Sequence, residues 1–205
     1  MIAIVDYRAG NLQSVRRAVQ YLGHDSVITD SHKAIRSASH VIFPGVGAAG
    51  ATMKNLAALG LDALLRHEIF PSGKPMLGIC IGIQIIFQHS EEDNTNCLGI
   101  MPGTVRRFSA SNGRKIPQIG WNNVHLTKPH PVFKGVTDGS YFYFVNSYYP
   151  IPAHESAVYA TAQYGEQFAC VVAEKNLLAT QFHLEKSAQP GLKMLDNFCR
   201  WDGKC

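Results

Sequence analysis

The chain has 205 residues, of which 46% are hydrophobic and 17% charged, and a formal net charge of +4 at pH 7. This is the balance of an ordinary soluble globule, and its basic residues are too scattered to call for nucleic acid. No stretch approaches the roughly 20 apolar residues that span a bilayer, and Met1-Ile2-Ala3-Ile4-Val5-Asp6 reads as a first buried strand rather than a secretory leader, so a cytoplasmic protein without membrane contact is expected.

In chain order, apolar runs of strand length alternate with amphipathic stretches: Ile2 to Val5, a helix over Leu12 to Leu22, Val41 to Phe43, a helix over Thr52 to Ile69, and Met76 to Ile79. That alternation predicts a parallel sheet wrapped by helices. From Thr104 the texture changes to short β-branched and aromatic runs, at Val124 to Leu126, Tyr141 to Val145, Ala157 to Ala162, Phe168 to Ala173 and Leu177 to Phe182. A last amphipathic segment, Ala188 to Trp201, spaces Leu192, Leu195, Phe198 and Cys199 for a helix packed on the sheet. The expected class is therefore α/β: a mostly parallel central sheet flanked by helices, with antiparallel strands added in the C-terminal half, in one domain over residues 1–205. Cys80, Cys97, Cys170, Cys199 and Cys205 form no C-x-x-C pair, which argues for mostly free thiols over a disulfide framework or a zinc knuckle. No metal and no cofactor are called for.

The strongest local signal is Gly78-Ile79-Cys80-Ile81-Gly82, between a buried strand and an apolar helix running through Gln84 to Phe87. A tight strand-to-helix turn strains the backbone of its central residue and needs small neighbours, so this is a nucleophile elbow carrying sulfur. The helix N-terminus favours the reactive thiolate, although a cysteine beside small residues can also simply pack in a core. A nucleophile needs a base and a group that orients the base. Gln181-Phe182-His183-Leu184-Glu185 offers both: in an extended segment His183 and Glu185 lie on one side while Phe182 and Leu184 point inward. Glu185 then holds the imidazole in the tautomer that takes the proton of Cys80. The other eight histidines carry no such signal.

Phe43 to Gly50 contains Gly45, Gly47 and Gly50 as G-x-G-x-x-G, a spacing that by itself suggests a dinucleotide-dependent oxidoreductase. The fingerprint belongs at the first βα turn, with an acidic residue ending a strand about 20 residues on. Here an earlier turn lies at Asp6 to Asn11, and the acidic candidate, Glu68, falls in a helical run. The better use of the loop is to offer the backbone N–H of Val46 or Gly47 to an oxyanion, together with the N–H of Ile81; losing one such donor typically costs about 10²- to 10³-fold in rate.

P-G-V-G, L-G-I-C-x-G-x-Q, G-W-N, Y-F-V-x-S-Y and Q-F-H-x-E-K-S, in this order, resemble the triad-type glutamine amidotransferases, and among them the glutaminase subunits of imidazole glycerol phosphate synthase. The resemblance runs from Asp6-Tyr7 to Asn197-Phe198. It implies that Cys80 attacks L-glutamine, that His183 and Glu185 complete the triad, and that Gln84, Ser147 and Tyr148 hold the substrate's amino and carboxylate groups. It also implies a partner in a heterodimer of histidine biosynthesis, the (β/α)₈ cyclase subunit of the synthase, with Asn11, Trp121, Asn122 and Lys186 facing it. Arg8 replaces the family's glycine, Gln118 and Asn146 replace histidines, and Leu184 replaces the proline between His183 and Glu185. These departures leave the triad whole. They keep open a paralogous subunit that feeds ammonia to a nucleotide-sugar amidinating synthase; a noncatalytic binding relative that kept the fold is a separate alternative, marked by an inert Cys80.

Overall fold

The computed structural model describes residues 1–8, 10–110 and 113–204. Cys205 lies outside them; Cys80, Cys97, Cys170 and Cys199 are free thiols.

The chain opens with β1 (Ile2–Val5), α1 (Leu12–Tyr21), β2 (Ser26–Thr29), α2 (His32–Ser37) and β3 (His40–Gly45). It continues with α3 (Ala49–Ala58), α4 (Leu61–Leu64), β4 (Met76–Cys80) and α5 (Ile81–Ile85). Shorter strands follow: β5 (His89–Ser90), β6 (Thr95–Asn96), β7 (Gly103–Arg107), β8 (Gln118–Asn123), β9 (His125–Leu126), β10 (Tyr141–Asn146) and β11 (Tyr148–Pro152). β12 (Val158–Tyr164), β13 (Glu166–Glu174), β14 (Leu177–Thr180) and α6 (Ala188–Arg200) complete the chain.

An eight-stranded sheet has the order β2-β1-β3-β4-β14-β13-β12-β9. Its first five strands pair in parallel, and β13, β12 and β9 add on antiparallel. This is the expected α/β class. Side chains alternate across the parallel strands. Ile2, Ile4, Ile42, Leu77, Ile79 and Leu178 join a core with α1 and α6, while Ala3, Val5, Val41, Phe43, Leu177 and Ala179 join a second core under α2, α3 and α4. Strands covered on both faces must be apolar throughout, which is why β1, β3 and β4 were legible as continuous runs.

Four expectations are corrected. Thr52 to Ile69 is not one helix: Gly60, in the left-handed region at φ 64°, separates α3 from α4, and α4 widens into a π turn over Leu65–Ile69 closed by Phe70 N–H to the Leu65 carbonyl. The helix after Cys80 ends at Ile85, short of Phe87. The run from Leu177 leaves the sheet at Thr180, whose hydroxyl donates to the Phe182 carbonyl. His183 to Glu185 is not extended, because Leu184–Lys186 forms a 3-10 turn.

Two smaller sheets stand beside the main one: β10 pairs β8, and β11, β7, β5 and β6 form the other. β11 carries Pro150 and Pro152 yet pairs β7, an arrangement open to proline because β11 is an edge strand.

Candidate active site

β3 and β4 end side by side, with Gly45 opposite Cys80. Cys80 closes β4 at φ 58° and ψ −103°, a strained conformation for a residue with a side chain, and α5 begins at the next residue. The flanking glycines are required by crowding. A methyl on Gly78 would come within 3.0 Å of Ala179 Cβ and of the Gly82 backbone, and one on Gly82 would collide with the Phe43 carbonyl. The elbow read from the sequence is therefore present, with the geometry that its glycines implied.

His183 arrives from β14 and is 1% exposed. Its Nδ1 lies 2.8 Å from Glu185 Oε1. Turn geometry, not strand alternation, makes this contact: the 3-10 turn curls the carboxylate back over its neighbour. β10 fixes the turn, since the His183 N–H donates to the Tyr143 carbonyl at 3.0 Å and the Tyr143 N–H donates to Ser187 Oγ at 2.9 Å. The Ser187 hydroxyl in turn donates to the His183 carbonyl at 2.5 Å. Burial works against a charged imidazole, but hydrogen bonds to Cys80 and Glu185 and the negative charge of both outweigh it, so the pKa of His183 is raised well above the ordinary imidazole range. The pair is thus set for an imidazolium beside a sulfur nucleophile. The Cys80 thiol also lies 3.8 Å from the Val145 carbonyl of β10.

A pocket of about 290 Å³ gathers Val46, Gly47, Cys80, Ile81, His183 and Lys186, with Gln84, Ser147 and Tyr148 on its wall. Its size sits near the lower end of ligand pockets, which suits an amino acid better than a dinucleotide. A larger cleft of about 510 Å³ includes Lys128, Tyr149, Glu155 and Phe168 but no cysteine beside a histidine, a pairing that the smaller pocket has in Cys80 and His183. Glu68, the nearest acidic residue to the dinucleotide spacing, holds Arg36 in a two-pronged ion pair at 2.6 and 2.8 Å. Among the described residues no group of three or more His, Cys, Asp or Glu could hold a metal ion.

Gln84 is 5% exposed, and its amide is spent inside the protein, donating to the Tyr148 carbonyl and to Gln181 Oε1, both at 3.2 Å. Of the residues expected to face a partner, Trp121 is 53% exposed. Asn122 donates to the Gln163 carbonyl, and Lys186 reaches 6.0 Å from the Tyr143 ring while lining the pocket. Asn11 turns inward, its amide donating to Glu185 Oε1 at 2.5 Å.

Sequence reasoning missed Glu92, which also lines the pocket, as does Asn146, singled out in the sequence only as a departure from the resembled family. Glu92 accepts the Ala49 N–H at 2.7 Å; burial pushes its pKa up, the N–H opposes the shift, and nearby Asp93 adds to it. The acidic run Glu91-Glu92-Asp93 was its only sequence signal. Asn146 pairs directly across the β10–β8 ladder with Gln118. The two departures from the resembled family therefore face each other, and each amide keeps a buried oxygen with no partner among the described residues, Asn146 Oδ1 and Gln118 Oε1. Asn146 Nδ2 donates to the same Tyr148 carbonyl that Gln84 holds.

Residues 3–201 match the family model for "Glutamine amidotransferase class-I". The chain is 48% identical to "Imidazole glycerol phosphate synthase subunit HisH" of Dehalococcoides mccartyi over 97% of this chain and 96% of that protein. It is also 48% identical to the protein of the same name from Nitratidesulfovibrio vulgaris, over 97% of this chain and 95% of that one. Among solved structures, a glutamine amidotransferase superposes with TM-score 0.74 at 18% identity, over 98% of this chain and all of the other. A glutamine amidotransferase from Thermotoga maritima gives TM-score 0.66 at 18% identity, over 92% of this chain and 77% of its own. At those identities the superpositions speak for the fold, while the sequence matches decide the family. The chain belongs to the class-I glutamine amidotransferases.

Proposed function

We propose that the chain is the glutaminase subunit of an imidazole glycerol phosphate synthase, hydrolysing L-glutamine to glutamate and passing the ammonia to a cyclase subunit in histidine biosynthesis. The observation that carries the reading is Cys80 and His183 beside the Val46–Gly47 loop in one pocket of amino-acid size, with Glu185 behind His183 on its Nδ1. The names of the near-full-length relatives favour this subunit over one serving a nucleotide-sugar amidinating synthase.

In this reading the Cys80 sulfur donates an electron pair to the side-chain carboxamide carbon of glutamine. The carbonyl electrons move onto oxygen, where N–H groups of Val46 or Gly47 and of Ile81 stabilise the oxyanion. As the tetrahedral intermediate collapses, the C–N bond breaks and the imidazolium of His183 gives its proton to the departing nitrogen, leaving a γ-glutamyl thioester and ammonia. Water then attacks the thioester while His183 takes its proton, and a second collapse releases glutamate and the Cys80 thiolate. Glu185 orients His183 throughout. Ser147 and Tyr148 face the α-amino and carboxylate end, and the Glu92 carboxylate on the same wall complements the α-ammonium. Gln84 acts by holding the Tyr148 carbonyl.

The exposed Ile119, Trp121 and Tyr141 of β8 and β10 offer an apolar face for the cyclase, next to the pocket that Lys186 lines. Passing ammonia across such a face keeps it from protonation in bulk water.

A glutamine-mimicking electrophile such as diazo-oxo-norleucine tests the covalent chemistry. Mass spectrometry is expected to find one adduct, on Cys80, protected by glutamine and absent in Cys80→Ala. Labelling spread evenly over Cys80 and Cys97, or an unreactive Cys80, would contradict the reading.

A further inference from the structure

The Glu185 side chain is buried, and its two oxygens are used unequally. Oε1 receives both His183 Nδ1 at 2.8 Å and Asn11 Nδ2 at 2.5 Å, whereas Oε2 is buried with no partner among the described residues. With one oxygen doubly engaged and the other idle, the amide of Asn11 decides which oxygen faces the imidazole. Asn11 is itself held by the backbone. It stands at the start of α1 at φ 70° and ψ 5°, a left-handed conformation that asparagine tolerates better than most residues. The contact joins residues 174 apart in sequence and ties the turn after β1 to the triad.

We propose that Asn11 is a positioning residue of the triad, which fixes the Glu185 carboxylate through Oε1 and thereby supports the His183 imidazolium. The proposal rests on the reading of Cys80, His183 and Glu185 as a working triad, and it gives an inward role to a residue whose resemblance alone points to a partner. A donor on a carboxylate stabilises its anion, and the anion stabilises the imidazolium beside it. Without Asn11 nothing fixes which carboxylate oxygen faces the imidazole, and the imidazolium beside Cys80 is less well supported. A hydrogen bond to a charged group is worth about tenfold in an equilibrium, so the expected shift is about one pH unit.

The test uses the isolated chain and the pH dependence of Cys80 alkylation by iodoacetamide, which needs neither glutamine nor a partner. Asn11→Gly removes the amide and accepts φ 70° without strain. The acid limb of its alkylation profile is expected to move up by about one unit, with glutamine hydrolysis at neutral pH down about tenfold and KM little changed. In a Glu185→Ala background the same substitution is expected to add nothing, because the group it acts through is gone. Thermal melting checks the fold, and Asn11→Ser, whose hydroxyl is too short to reach Glu185, serves as a second variant. An unshifted alkylation profile, or an equal loss in the Glu185→Ala background, would overturn the proposal. A shifted profile in a chain that fails to hydrolyse glutamine even with the cyclase and its nucleotide substrate would leave the Asn11 contact standing and count against the glutaminase reading instead.

Discussion

His130 is buried among the rings of Phe133, Tyr159 and Trp201, and its Nδ1 accepts the Val132 N–H while Nε2 has no partner among the described residues. Burial lowers its pKa from 6.5 to about 4. The folded state therefore keeps His130 neutral where the unfolded chain binds a proton. Its contribution is whole above the unfolded value of 6.5 and declines as pH falls through the window down to about 4. The full loss is on the order of 3 kcal/mol. His130→Asn keeps a side-chain acceptor for the Val132 N–H but cannot titrate. In urea unfolding between pH 7.5 and pH 5, the variant is expected to lose less stability than the wild type; equal losses would contradict the assignment. Of the two buried histidines, only His183 was legible in the sequence, because Glu185 follows two residues later. His130 gained its character from rings as far away as Trp201, which spacing cannot show.

The elbow is decided by the closeness of two elements. Gly82, in the first turn of α5, has no room for a methyl against the Phe43 carbonyl of β3, which is backbone and cannot turn aside. Gly82→Ala is therefore expected to destabilise the fold by at least about 2 kcal/mol and to slow labelling of Cys80 by displacing the turn, as read by urea unfolding and electrophile mass spectrometry. A variant of wild-type stability and reactivity would show that the approach of α5 to β3 does not matter. The glycines announced this turn because strain and crowding leave a compositional mark. The strands buried on both faces announced themselves as apolar runs. The 3-10 turn that brings Glu185 to His183 left no such mark, and alternation along a strand gave the right contact for the wrong geometry. β11 was hidden by its prolines and β8 by Gly120 and its polar residues, since both strands belong to small sheets whose pairing is not local.

Across the molecule, the site is assembled from segments far apart in sequence: Asn11, the Val46–Gly47 loop, the Cys80 elbow, Glu92, the end of β10 and the His183 turn. The meeting of Cys80, His183 and Glu185 could be expected from the sequence because the three are chemically distinctive and two of them are near neighbours in the chain. Glu92 could not, because its place on the pocket arises only when the turn after β5 closes on it, and the pairing of Asn146 with Gln118, each marked in the sequence as a departure, arises only when β10 meets β8. The central claim is that this assembly is a glutaminase working with a cyclase. Its most direct test is glutamate release from glutamine by the chain alone, then with the cyclase and its nucleotide substrate, with Cys80→Ala as control. The account predicts slow release alone, a large rise when both are added, and no release from the Cys80→Ala chain. A rate unmoved by cyclase and nucleotide, or release that survives loss of Cys80, would contradict it.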